Sequence, residues 1–149
     1  NRPGPDSQAP LAFRGGDLSV SICYEIAYPE LVRNAAPDPA LLVTISNDTW
    51  FGRSIGPLQH MQIARMRAKE MGRYLVRATN NGVSAVVDPY GGVVASAPQF
   101  EPAVVSAEIR VMSGQTPFAR FGLTPLLVAS GIGLLLTLVA GRRRFDRSA

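Results

Sequence analysis

Cys23 is the only cysteine in the chain, and it stands where a run of β period ends. Leu18, Val20 and Ile22 alternate with Ser19, Ser21 and Cys23, and Tyr24 and Glu25 follow at once. A cysteine at a strand end, where the chain turns into a helix, suits a nucleophile. The turn exposes sulfur at the rim of a sheet, and the amides of the next turn can face a developing oxyanion. The competing reading is a buried core thiol, since free cysteine is among the most buried residue types. A second polar stretch, Asn47-Asp48-Thr49-Trp50-Phe51-Gly52, comes just after a buried strand. It shares the rim of Cys23 if the two strands are parallel neighbours, and otherwise it is a turn with a shielding tryptophan. His60, the only histidine, has no evident acidic partner.

These residues need elements to hold them. Leu11 to Arg14 reads as a short strand, Asp17 to Cys23 as a second, and Ile26 to Ala36 as a helix stopped by Pro37-Asp38-Pro39. Ala40 to Ser46 is nearly continuously apolar, as expected of a strand covered on both faces. Gly56 to Tyr74 is the clearest helix, with Pro57 near its start. Met61, Ala64, Ala68 and Met71 form its core stripe, while Arg65, Arg67, Lys69, Glu70 and Arg73 are expected to be a solvated face. Four short strands follow, Leu75 to Thr79, Val83 to Asp88, Val93 to Ala97 and Val104 to Ile109, separated by Asn-Gly, Gly-Gly and proline turns. The order implies an α/β layered domain ending in an antiparallel meander.

Leu123 to Gly141 differs in kind. It carries no charged residue, it approaches the roughly twenty residues that a helix needs to cross a bilayer, and three arginines follow it. The expected organisation is a folded domain over 1–122, a transmembrane helix over 123–141 and a basic tail over 142–149. Positive residues remain cytoplasmic, which puts the cysteine domain on the opposite side of the membrane. The net charge of +4 is mostly that tail, where Arg142, Arg143, Arg144 and Arg147 against Asp146 give +3 and leave +1 for everything else. The chain therefore has no basic face for nucleic acid. One cysteine and one histidine also make no Cys/His zinc site. The polar, proline-rich stretch Asn1 to Pro10 reads as a linker, and the chain is expected to be the C-terminal piece of something longer.

Taken together and in order, ICYE, SNDTWFG, QHMQIARMRA, RATNNG and the apolar helix with its basic end resemble the bacterial apolipoprotein N-acyltransferases, within the nitrilase-like carbon-nitrogen hydrolases. The resemblance covers Leu18 to Arg144. It implies the C-terminal half of an α-β-β-α sandwich held outside the bacterial cytoplasmic membrane by spanning helices. It also implies an enzyme that moves a fatty acyl chain from a membrane phospholipid, through a cysteine thioester, to the N-terminal amine of a lipidated apolipoprotein. By the same resemblance Cys23 is the nucleophile, Glu25 is required for activity, Tyr24 lies between them, and no metal or cofactor takes part. The family's triad also needs a glutamate and a lysine well upstream of the cysteine. Residues 1–22 hold neither, and the sole lysine, Lys69, follows Cys23. The chain alone is therefore expected to be inactive. A small-amide amidase and a non-catalytic fragment are the alternatives.

Overall fold

The computed structural model describes residues 9–36 and 38–148, with side chains of the final helix described only as far as residue 138. Most of the expected N-terminal linker, Pro37, and the side chains of the basic tail lie outside the described residues. Six strands form one mixed sheet in sequence order: β1 (Leu11–Phe13), β2 (Gly16–Ile22), β3 (Leu41–Asn47), β4 (Leu75–Asn80), β5 (Ala85–Val87) and β6 (Val93–Ser96). Strands β2, β3 and β4 are parallel, and antiparallel strands flank them on both sides. The helices α1 (Pro29–Ala35) and α2 (Gly56–Met71) supply the connections that parallel neighbours require.

Both helices pack into one core with the sheet. Val32 of α1 and Met61, Ala64, Ala68 and Met71 of α2 meet Leu42, Leu75, Ala85 and Val87, so the expected α2 stripe is the core stripe. Pro57 lies in the first turn of α2. Gly72 ends the helix in the left-handed conformation, φ 64°, and its amide bonds back to the Ala68 and Lys69 carbonyls. The backbone turns there at little steric cost because glycine has no Cβ. A side chain would also strike Thr116.

Several expectations are corrected. The helix expected over Ile26–Ala36 is two pieces, a 3-10 turn over Cys23–Ala27 and then α1, which starts at Pro29 because proline suits the first helical position. Val104–Ile109 is not a strand. The described structure gives it no ladder partner, Pro98 and Pro102 interrupt its approach to the edge strand β6, and Val104 is 93% exposed. The expected solvated face of α2 holds two buried arginines. Arg67 pairs with Glu70 at 2.9 Å. Arg73, just beyond the helix, clamps Asp38, the Pro39 carbonyl and the Gly114 carbonyl.

β3 is covered along its whole length on one face only, since on the other face Leu41 is buried, Val43 is half-buried and Ile45 is open. Leu42, Thr44 and Ser46 face the helices and are buried, whereas Ile45 on the other face is 56% exposed. The same holds for β2, whose serines Ser19 and Ser21 are buried while Ile22 is exposed. Small serines let the helices approach the sheet closely, and the apolar side of both strands is left without full cover.

After α3 (Pro117–Phe121), the helix α4 (Thr124–Ser148) runs through the expected span and past Gly141. Leu126, Leu127, Ile132 and Leu134 to Leu138 along it include no buried apolar side chain. Among the described residues, no helix is long and apolar enough to cross a membrane. The last residues of the expected span, 139–141, lie where side chains are not described.

Candidate active site

The parallel pairing of β2 with β3 and β3 with β4 brings three strand ends to one rim. Cys23 follows β2 directly. Its φ of 55° puts a non-glycine residue in the left-handed region, a sparsely populated conformation that clusters at functional sites. The sharp reversal leaves the thiol half-buried and not sealed in the core. Glu25 secures the turn, since its Oε2 accepts the Ile22 amide hydrogen at 2.7 Å. Tyr24 is exposed beside it, edge-on to Tyr28 at 5.9 Å and 6.2 Å from the His60 ring. Cys23, Tyr24 and Glu25 thus share one turn, but the Glu25 carboxylate faces the backbone of that turn.

Ile22 pairs with Ile45, which sets Cys23 beside Ser46. Ser46 Oγ lies 3.7 Å from Cys23 Sγ and 2.6 Å from Asp48 Oδ1. Asp48 is fully buried and collects two more partners, His60 Nδ1 at 2.9 Å on Oδ1 and Arg77 Nη2 at 2.8 Å on Oδ2. A carboxylate only accepts, so the imidazole hydrogen of this pair sits on Nδ1. Burial lowers the pKa of the Arg77 guanidinium, and the neighbouring Asp48, with Cys23 further off, acts in the opposite direction. The Asn81-Gly82 turn closes over this cluster. A Cβ at Gly82 would collide with Asp48 Oδ2, so only glycine lets the backbone come this near.

The polar loop after β3 is held by Asn47, whose Oδ1 accepts from the Thr49 amide at 3.2 Å and the Thr49 hydroxyl at 2.5 Å. Phe51 stands edge-on to His60 at 6.4 Å, while Trp50 is 84% exposed and shields nothing. The loop therefore does share the rim of Cys23. The buried Ser46–Asp48–His60–Arg77 cluster escaped the sequence reading, and His60 does have an acidic partner. The available signal was the spacing alone, an aspartate two residues past a buried strand and a histidine at the next helix start.

Lys69 is exposed on α2, and among the described residues Ser46 is the side chain that hydrogen-bonds to the sulfur. No cluster of metal-ligating side chains occurs among the described residues. What the described residues supply is a half-buried thiol in a strained turn, backed by a buried charge network, with neither a carboxylate nor an amine hydrogen-bonded to the sulfur.

The profile of the carbon-nitrogen hydrolase family matches residues 2–118. This chain belongs to that family. Among solved carbon-nitrogen hydrolase structures, the fold is similar to the Helicobacter pylori G27 enzyme, with a TM-score of 0.57, 20% identity, and coverage of 68% of this chain and 43% of that one. It is also similar to an amidase from Nesterenkonia sp. AN1 whose active-site cysteine carries added acrylamide, with a TM-score of 0.58, 26% identity, and coverage of 73% and 45%. In sequence the chain is 48% identical over 140 residues to the apolipoprotein N-acyltransferase of Pseudomonas paraeruginosa and 52% identical over 138 residues to that of Shewanella oneidensis. These alignments take in 94% and 92% of this chain. It spans about a quarter of each relative, 27% in both cases.

Proposed function

We propose that the chain is the C-terminal segment of a bacterial apolipoprotein N-acyltransferase. The observation that carries this reading is the pairing of Cys23, held at positive φ at the rim, with close identity to acyltransferases of that name along nearly the whole chain. The Cys23 thiolate attacks an ester carbonyl of a membrane phospholipid. The C–O bond breaks, the lysophospholipid alkoxide leaves with a proton, and a thioester remains on sulfur. The amine of the acceptor lipoprotein's N-terminal cysteine then attacks the thioester carbonyl. An amide forms, the C–S bond breaks, the proton shed by the amine passes to the enzyme's base, and the thiolate returns. Dividing one difficult acyl transfer into two easier steps is the function of such a nucleophile.

Glu25 is a positioning residue in this reading. Its bond to the Ile22 amide fixes the turn that presents the sulfur, and Tyr24 with Tyr28 flanks the approach. The base and its companion lysine come from sequence preceding this segment. The incompletely covered apolar face of β2 and β3 supports a second half of an α-β-β-α sandwich lying against it. The uncharged stretch 123–141 within α4 spans the inner membrane, with 142–149 in the cytoplasm and the catalytic domain outside. Donor lipid and lipid-anchored acceptor then meet the site at the membrane surface.

The amidase likeness favours a second reading, a tethered enzyme that hydrolyses a small amide. Intact-mass measurement separates the two. The full-length protein incubated with phospholipid in detergent should gain a fatty-acyl mass on Cys23 that hydroxylamine removes. Cys23→Ala should gain none, and Glu25→Ala should keep the thiol but stop turnover. Normal lipoprotein acylation by Cys23→Ala would refute the assignment of the nucleophile.

A further inference from the structure

We propose that Ser46 is a positioning residue for Cys23, and that its single hydroxyl hydrogen alternates between two anions, the Asp48 carboxylate and the Cys23 thiolate. The inference rests on Cys23 being the nucleophile. Ser46 Oγ lies within reach of both groups, 2.6 Å from Asp48 Oδ1 and 3.7 Å from Cys23 Sγ. A hydroxyl has one hydrogen to donate and two lone pairs. While Cys23 is a thiol, Asp48 is the one anion beside Ser46, and a charge-assisted bond to it holds the hydrogen. Ser46 then turns a lone pair toward the sulfur, where the S–H can donate.

Deprotonation reverses the preference. Two anions now flank one donor, and they are unequally provided for. Asp48 keeps His60 Nδ1 at 2.9 Å and Arg77 Nη2 at 2.8 Å, both buried with it. The sulfur has Ser46 as its side-chain donor among the described residues. The hydroxyl therefore rotates about Cβ–Oγ, releases Asp48 and donates to the thiolate. Ser46 neither gains nor loses a proton in this step, because the thiol proton leaves with the base that removes it. Acylation of the sulfur discharges it, and the hydroxyl returns to Asp48. Expulsion of the thiolate in the second half-reaction calls it back. His60 and Arg77 matter here because they make Asp48 able to give up a donor.

The test uses alkylation, which needs a thiolate but no substrate. The full-length protein in detergent is treated with iodoacetamide across a pH series, and the rate of modification at the Cys23 peptide is read by mass spectrometry. Ser46→Ala should raise the midpoint of the profile by about one pH unit, slowing alkylation at neutral pH about tenfold. The rates should converge at high pH, which a merely misplaced sulfur would not produce. Ser46→Thr keeps a hydroxyl and should keep the wild-type midpoint. A midpoint unmoved or lowered in Ser46→Ala overturns the proposal. So does Ser46→Thr with an unchanged unfolding midpoint and a raised alkylation midpoint, and this arm decides the matter alone if Ser46→Ala fails to fold. A shifted alkylation profile in a protein that never forms a fatty-acyl adduct would refute the acyltransferase reading and leave the role of Ser46 standing.

Discussion

Replacing Asp48 by alanine takes the acceptor away from three donors at once, Ser46 Oγ, His60 Nδ1 and Arg77 Nη2. The largest consequence falls on Arg77, which is as inaccessible to water as the aspartate itself. Removing one partner of a buried ion pair costs about 3–5 kcal/mol, because it strands a charge in a medium that solvates it poorly. The two remaining bonds to a charged acceptor are worth about 1.5–3 kcal/mol each. They do not add in full, since the three donors share one carboxylate. The expected loss is therefore at least about 3 kcal/mol, a large part of the roughly 5–15 kcal/mol that holds a typical domain folded. Arg77→Met alone should cost a similar amount. Asp48→Asn combined with Arg77→Met should cost clearly less than the sum of Asp48→Asn and Arg77→Met, because the double variant buries no unpaired charge. Pulse proteolysis of the full-length protein in detergent, across a denaturant series, reads these differences. A loss below about 1 kcal/mol for Asp48→Ala, or strict additivity in the pair, would mean that the cluster is not electrostatically coupled as described.

Two further outcomes are expected. Burial raises the pKa of Glu70, with Arg67 acting against the shift and Glu30 with it, so ionised Glu70 costs stability at neutral pH. That cost is relieved as pH falls through the raised value and is gone below the ordinary 4.5. The stability of wild type relative to Glu70→Gln should therefore rise on acidification from pH 7 toward 4, and a fall would refute the sign. A reporter active only outside the cytoplasm, fused after Ala149, should be silent, because three arginines follow the uncharged stretch 123–141. Activity there would invert the proposed topology.

The elements were legible where a single period decides them. The alternation of Leu18, Val20 and Ile22, the apolar run Ala40 to Ser46 and the methionine stripe of α2 each specify a strand or a helix locally. The same patterns misled where partners decide. Val104 to Ile109 has strand composition, but a strand is made by a neighbour, and β6 does not extend to meet it. The alternation in β2 marks two faces without saying which one the helices cover, and it is the serine face that they cover. Arg67 and Arg73 look like surface charge, but Arg67 is buried beside Glu70 one turn along the same helix, and Asp38 and two carbonyls are brought to Arg73 from other parts of the chain. His60 and Asp48 are twelve residues apart on different elements, and only the docking of α2 closes that gap, while the register of β3 with β4 brings Arg77 to the same carboxylate.

The same register explains why the site has the composition it does. Three parallel strands ending at one rim deliver Cys23, then Ser46 and Asp48, then the Asn81-Gly82 turn, in adjacent columns. Among the described residues, the side chains behind the sulfur thus come from within some sixty residues of sequence, placed by the pairing of β2 with β3 and β3 with β4. The thiolate and not the thiol is the nucleophile, so the reaction calls for a base within hydrogen-bond reach of the sulfur. Neither a glutamate nor a lysine precedes Cys23 in these residues, and Glu25 is engaged by the turn that carries it. In the proposed enzyme the nucleophile and its supporting network therefore belong to one part of the fold, and the group that triggers it to another. In that proposal the thiol stays quiet until both parts are docked across the incompletely covered face of the sheet. The division couples the reactivity of Cys23 to the completeness of the sandwich and not to the strength of any single bond at the rim.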